Sequence, residues 1–252
     1  MPQDKILEKN KDIVLNAQEF FLEGLAPGSV KLDLSRCHVF FDFDNTITSF
    51  DILDDIIQRF SVNDDWLVLE KDWIDGKIGS RECLAGQLAS VRVTKKTLTE
   101  YLSGIEVDHF FHRLLGLLKK SGVKPVIVSD SFSFVIRSIL QNNGISGIRI
   151  YSNRLRFSKD RLLPLFEHTN QECRDCANCK KKHLIRLGEK NKKNIYIGDG
   201  LSDVCPAGHA DFVFAKGTLW ERFKDKKQPC VKFRHLGDVY QFLKEAHRGT
   251  EA

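Results

Sequence analysis

The sequence predicts an α/β fold: a doubly wound parallel sheet with a helical lid inserted after its first strand. Two observations predict it. Short apolar runs rich in β-branched and aromatic residues recur at 39–43, 124–129, 147–152, 193–199 and 210–215, and helical stretches separate them. Between Phe50 and about Lys120 the pattern is helical almost throughout, which is too long for a simple crossover between strands.

Residues 5 to about 24 carry apolar residues at helical spacing until "APGS" breaks the pattern. This predicts a helix within an N-terminal extension spanning 1–36, a disordered leader being the alternative. In "HVFFDFDNTIT" (38–48), Val39, Phe40, Phe41 and Phe43 read as a strand buried on both faces. "DILDDIIQRF", "WLVLEKDWI", "RECLAGQLASV" and "FFHRLLGLLKK" then fill the lid, residues 50–120. "KPVIVS" (124–129) is the second strand and 131–142 a helix, followed by "GIRIYS" (147–152) as the third strand. Residues 151–167 read as a small hairpin or flap. A helix over 180–189 precedes "KNIYIGD" (193–199), and "ADFVFA" (210–215) completes the series. The core domain is thus 37–49 together with 121–252.

A net charge of +5 over 252 residues, with 42% hydrophobic and 29% charged residues, is ordinary for a globular chain that buries a sizeable core. The basic clusters "EKNKKN" and "KDKKQ" do not interleave with aromatics, so no nucleic-acid partner is expected. Seven cysteines, an odd number in a chain too large to need disulfide staples, point to a reducing compartment. "MPQDKILEKN" has no apolar signal region, and no stretch approaches the ~18 apolar residues of a membrane span. No membrane partner is expected, the cytoplasm is the default location, and no feature specifies an oligomer.

The strand ends carry the chemistry. Residues two apart on a strand point to the same side, so Asp42 and Asp44 share one site. Like charges repel there and desolvation is costly, which a metal cation or a shared proton makes tolerable. The second strand ends in "VSDS", with Ser129, Asp130 and Ser131; the fourth ends in "GDGLSD", with Asp199 and Asp203. Ligands of a doubly wound sheet gather at these carboxyl ends. A lysine, Lys180 or Lys181, opens the helix before the fourth strand. Carboxylates, a hydroxyl and an ammonium suit a divalent cation beside a phosphate, and hard oxygen donors favour magnesium. Taken singly, each has a bland reading: a solvated turn, a strand-end serine, or a helix cap for "GDGLSD" and for Asp130.

Together, "DFDNT", "VSDS", a lysine and "GDGLSD" occur in the order found in the haloacid dehalogenase superfamily of aspartate-nucleophile phosphatases, which residues 37–245 resemble. A helical cap after the first strand is similar to that of its phosphoserine phosphatase-like branch. The resemblance implies Asp42 as nucleophile and Asp44 as acid and then base. It implies Ser129 and Lys180 as phosphate ligands. Magnesium would be held by Asp42, the backbone carbonyl of Asp44, Asp199 and, less directly, Asp203. The branch places its lysine after a cysteine, as Lys180 follows Cys179, whereas counting back three from Leu184 favours Lys181; Lys180 is preferred.

The resemblance also marks residues that read the substrate, namely Asp51 and Gln87 in the lid, with Ser129 on the core; Asp130, beside Ser129, is a further substrate-binding candidate whose alternative is a cap or a support for its neighbours. Phosphoserine phosphatases carry a glutamate where Asp51 stands and a carboxylate-binding arginine where Gln87 stands. A neutral amide cannot pair with a carboxylate as a bidentate arginine does. The lid is therefore closer to 2-hydroxy-3-keto-5-methylthiopentenyl-1-phosphate phosphatases and phosphoethanolamine/phosphocholine phosphatases, which share a cysteine-rich stretch before the lysine. The expected function is magnesium-dependent hydrolysis of a small-molecule phosphate ester. The alternatives are a phosphoserine phosphatase or a non-catalytic binding protein on the same scaffold. In "CRDCANCKKKH", Cys173, Cys176, Cys179 and His183 have spacing that could complete a structural zinc site. Reduced cysteines packing the loop, or a disulfide, are the alternatives.

Overall fold

The computed structural model describes residues 30–170, 176–189 and 191–248. The N-terminal helix expected over 5–24 lies outside the described residues. Of the extension, Val30, Leu32 and Leu34 are buried, and Leu34–Arg36 makes one 3-10 turn. The Asp33 carboxylate caps that turn by accepting from Ser35 N at 3.0 Å.

Strands β1 (Cys37–Phe41), β2 (Val126–Phe132), β3 (Arg149–Ser158), β4 (Arg161–Leu165), β5 (Lys193–Gly198), β6 (Phe212–Ala215) and β7 (Val231–Lys232) form a seven-stranded sheet. Its order is β4-β3-β2-β1-β5-β6-β7. Five helices follow β1: α1 (Ile52–Phe60), α2 (Asp65–Ile74), α3 (Ser80–Ser90), α4 (Lys95–Ser103) and α5 (Phe111–Lys120). The others are α6 (Ser133–Asn142), α7 (Lys180–Leu187), α8 (Val204–Ala207), α9 (Gly217–Asp225) and α10 (Leu236–Arg248). The fold is the expected mixed α/β sheet with a helical run after the first strand. No described helix is long and apolar enough to cross a membrane.

The described residues fall into two compact units. The first comprises those up to Asp42, Asp108–Val126, and those from Leu184 onward. Its strands β1, β5, β6 and β7 are all parallel, with Val39 opposite Ile195 and Phe41 opposite Ile197, which in turn faces Phe214. All five of those side chains are fully buried, which is why the run 39–41 is continuously apolar. β7, two residues long, is too short to leave a periodic signal and was not foreseen.

The second unit comprises Phe43–Val107 and Ile127–His183. A tight turn follows Phe43, whose carbonyl accepts from Thr46, Ile47 and Thr48 N. Asn45 sits at φ 47°, a left-handed conformation that asparagine tolerates. Asp51 caps α1 by accepting from Asp54 N at 2.9 Å, and Ile52, Leu53, Ile56 and Ile57 turn inward. α2 and α3 approach at Gly86, where any Cβ would stand 2.7 Å from Leu69 Cδ1. The hairpin expected over 151–167 is β3 and β4, antiparallel with Arg154 opposite Leu165 and Ser158 opposite Arg161. Its first strand is continuous with the expected third strand.

Candidate active site

In the first unit, the Asp42 N–H donates to Ile197 O at 2.9 Å, carrying the β1–β5 ladder one residue past β1. Asp42 thus stands at the carboxyl end of its strand, as Asp199 does just past β5. Carboxylate oxygens of Asp42, Asp199 and Asp203 all lie within 4.8 Å of one another. Asp203 has no solvent exposure, and Asp42 and Asp199 have almost none. Its Oδ1 accepts from the Tyr196 hydroxyl at 2.6 Å, and its Oδ2 from Asp199 N and Gly200 N, each at 3.0 Å.

Three buried carboxylates this close repel unless a cation joins them. Hard oxygens in a small group fit magnesium, and the donor set is consistent with it. Lys216, not singled out in the sequence, is half-buried in the same unit. Burial lowers its pKa, and the charges of Asp199 and Asp108 oppose that shift.

Gly198 lets the triad close. A Cβ there would lie 2.5 Å from Asp203 Oδ2 and 2.9 Å from Tyr196 Cε1. Gly198→Ala is expected to displace the Asp203 carboxylate, to cost about 1–3 kcal/mol of stability, and to weaken divalent-cation affinity. Thermal melts and a magnesium titration check this; a variant unchanged in both would contradict it.

The second unit holds the remaining expected residues. Asp44 Oδ1 accepts from Ile52 N at 3.1 Å, so the first turn of α1 donates to it. Burial pushes the Asp44 carboxyl well up from its ordinary value, and the Asp51 charge adds to this. The Ser131 hydroxyl and the Ile52 N–H pull it back. Ser131 therefore belongs to the surroundings of Asp44, a role the sequence did not disclose. Ser129 is buried, and its Oγ accepts from Ser131 N at 3.1 Å.

Lys180 opens α7 and is 3% exposed, whereas Lys181 is half-buried. Burial raises the Asp51 pKa, and the Lys180 ammonium opposes that. Asp130 Oδ1 accepts from Asn178 N at 3.2 Å, so this carboxylate braces the loop before Lys180. Gln87 is buried, and its Nε2 donates to Glu70 Oε2 at 2.9 Å, joining α3 to α2.

Carboxylates crowd this side of the unit. Burial raises the Glu70 pKa, while Gln87 restrains it. Asp54 meets solvent on one side, yet packing around it, with Asp51 and Glu70, pushes it up to about 8. A carboxyl raised in the folded state binds more protons there than in the unfolded chain, so stability falls as pH climbs from about 4 to 8. Asp54→Asn is therefore expected to raise Tm more at pH 8 than at pH 5, as differential scanning calorimetry would read. An equal shift at both values would show that Asp54 does not titrate this way.

Of the expected zinc ligands, Cys173 lies outside the described residues. Cys176 and Cys179 are in no disulfide, and His183 Nε2 is bonded to Asn178 Oδ1 at 2.8 Å. Among the described residues, the cluster of metal-ligating side chains is the aspartate triad, without Cys176, Cys179 or His183.

Among curated proteins, the chain is 26% identical over 215 residues to a 2-hydroxy-3-keto-5-methylthiopentenyl-1-phosphate phosphatase of Bacillus thuringiensis subsp. konkukian, covering 82% of this chain and 95% of that protein. A protein of the same name from Geobacillus thermodenitrificans is 26% identical over 210 residues, covering 81% and 94%. Among solved structures, a substrate-bound phosphoserine phosphatase superposes with a TM-score of 0.64 at 17% identity, covering 82% of this chain and 98% of that one. The phosphoserine phosphatase of T. onnurineus gives 0.63 at 16% identity, covering 86% and 98%. These structures share the fold of the haloacid dehalogenase superfamily. Residues 37–231 match the model of the family described as Putative Phosphatase, and with that match over most of its length the chain belongs to this family of phosphatases.

Proposed function

We propose that the protein is a magnesium-dependent phosphomonoester hydrolase that works through an aspartyl-phosphate. The observation that carries this reading is the buried triad of Asp42, Asp199 and Asp203, with oxygens within 4.8 Å. Asp42 attacks phosphorus, and the P–O bond to the leaving group breaks. Asp44, two residues along the chain, gives its proton to the departing oxygen. A water then attacks the aspartyl-phosphate, Asp44 takes a proton from it, and phosphate and free Asp42 are released. Burial of Asp44 suits it to holding a proton for the first step. Ser129 and Lys180 bind the phosphoryl oxygens. Asp42, Asp199 and Asp203, with the Asp44 carbonyl, would hold the cation, which when bound would offset negative charge beside the phosphate.

We assign choice of substrate to residues 50–120 as the lid, through Asp51 and through Gln87, which acts by holding Glu70. The curated relatives support a small phosphorylated metabolite of their own ester type, with a keto group rather than an amino acid carboxylate. Chelator-treated protein assayed with p-nitrophenyl phosphate, before and after magnesium is restored, tests the reaction. Activity indifferent to the metal would sink it, and no activity at all would favour a binding protein. A panel of phosphorylated metabolites tests the substrate. Turnover of phosphoserine above that of the 2-hydroxy-3-keto ester would overturn the choice.

A further inference from the structure

We propose that Asn178, held by His183, is the positioning residue for Lys180; this rests on the reading of Lys180 as the phosphate lysine. Asn178 sits two residues before Lys180 and is buried. Its Nδ2 donates to two carbonyls, Ser129 O at 2.8 Å and Tyr151 O at 2.9 Å. Carbonyls only accept, so these two bonds fix which way the amide faces. Oδ1 then faces His183, and the 2.8 Å contact requires the hydrogen on Nε2 of the imidazole.

The backbone of Asn178 is tied as well. Its N–H donates to Asp130 Oδ1 at 3.2 Å, and its carbonyl accepts from Lys180 N at 2.8 Å. One side chain thereby joins the middle of β2, the strand β3 and the first turn of α7. His183 is itself clamped, stacked on Tyr151 at 4.4 Å between centroids and edge-on to His168 at 4.9 Å. The His168 carbonyl accepts from Cys179 N at 2.9 Å, which closes the frame around the residue before Lys180.

A lysine has four rotatable bonds, so its ammonium is placed only as well as its backbone. The clamp fixes that backbone against β2 at Ser129. Asp fits the space of Asn178 but sets a carboxylate against two carbonyls, so Asn178→Asp opens the clamp without leaving a void. A misplacement of about 1 Å at a charged catalytic group costs on the order of 10²-fold in rate.

The test is a double-mutant cycle with p-nitrophenyl phosphate, with inorganic phosphate as product inhibitor and a thermal melt to verify folding. Asn178→Asp is expected to lower kcat/KM about 10²-fold and to weaken phosphate inhibition in parallel. Placed on Lys180→Met, it should add less than about threefold, because both changes act through one ammonium. His183→Gln, which keeps an N–H donor, should recover at least about tenfold of the rate lost in His183→Leu; this pair carries the test if Asn178→Asp does not fold. A full further 10²-fold loss on the Lys180→Met background, or native kinetics in Asn178→Asp, overturns the proposal while leaving the lysine reading intact. Native kinetics in Lys180→Met itself removes that reading, and this proposal with it.

Discussion

Asp42→Asn is expected to abolish hydrolysis, with at least about 10⁴-fold loss in kcat for any phosphate ester. An amide is a poor nucleophile, and no neighbouring group replaces the attacking oxygen in the proposed scheme. The substitution is nearly isosteric, and the backbone N–H of residue 42 keeps its bond to Ile197 O. Fold and sheet register should therefore survive. Removing one of three buried carboxylates also relieves repulsion within the triad. In the absence of a divalent cation the variant should melt no lower than the parent, and with magnesium present it should gain less from the ion. Calorimetry with and without magnesium, beside steady-state assays, reads all three effects. Substantial turnover by a folded Asp42→Asn protein would sink the nucleophile assignment.

Asp44→Asn is the second large effect, on the order of 10²–10⁴-fold. The amide oxygen can still accept from Ile52 N, so the start of α1 should hold its place. What is lost is a proton to give. Leaving groups that depart readily as anions need that proton least, so p-nitrophenyl phosphate should suffer less than an alkyl phosphate. Parallel assays of one aryl and one alkyl ester decide it; equal losses would remove the acid role from Asp44.

β1 was legible because burial on both faces forces an unbroken apolar run, and Asp42 because the two carboxylates at its end, read together with "VSDS" and "GDGLSD", outweigh the solvated turn they could form alone. "GDGLSD" was legible for the same reason. Asn178 was not: an asparagine in a cysteine-rich loop looks like a turn residue. Only folding brings Ser129, 49 positions away in sequence, against its amide. Gln87 read as a substrate contact in the lid, yet its amide is committed to Glu70, 17 positions earlier. Such pairings depend on helix packing, set here by the approach of α2 and α3 at Gly86, and local patterning carries no trace of them. Ser131 shows a third case: it lies inside a quoted motif, but its value comes from facing Asp44, which the motif does not encode.

Tyr196 and two successive N–H groups hold Asp203 through the chain's own hydrogen bonds. A loop braced in this way has little conformational freedom left to surrender when a cation arrives. Loading should therefore carry the thermodynamic signature of the ion rather than of the protein. Magnesium gives up its water reluctantly, and the shed molecules gain freedom in bulk solvent. The titration isotherm should then be endothermic and driven by entropy, with an exchange rate set by how fast magnesium sheds water, not by opening of the chain.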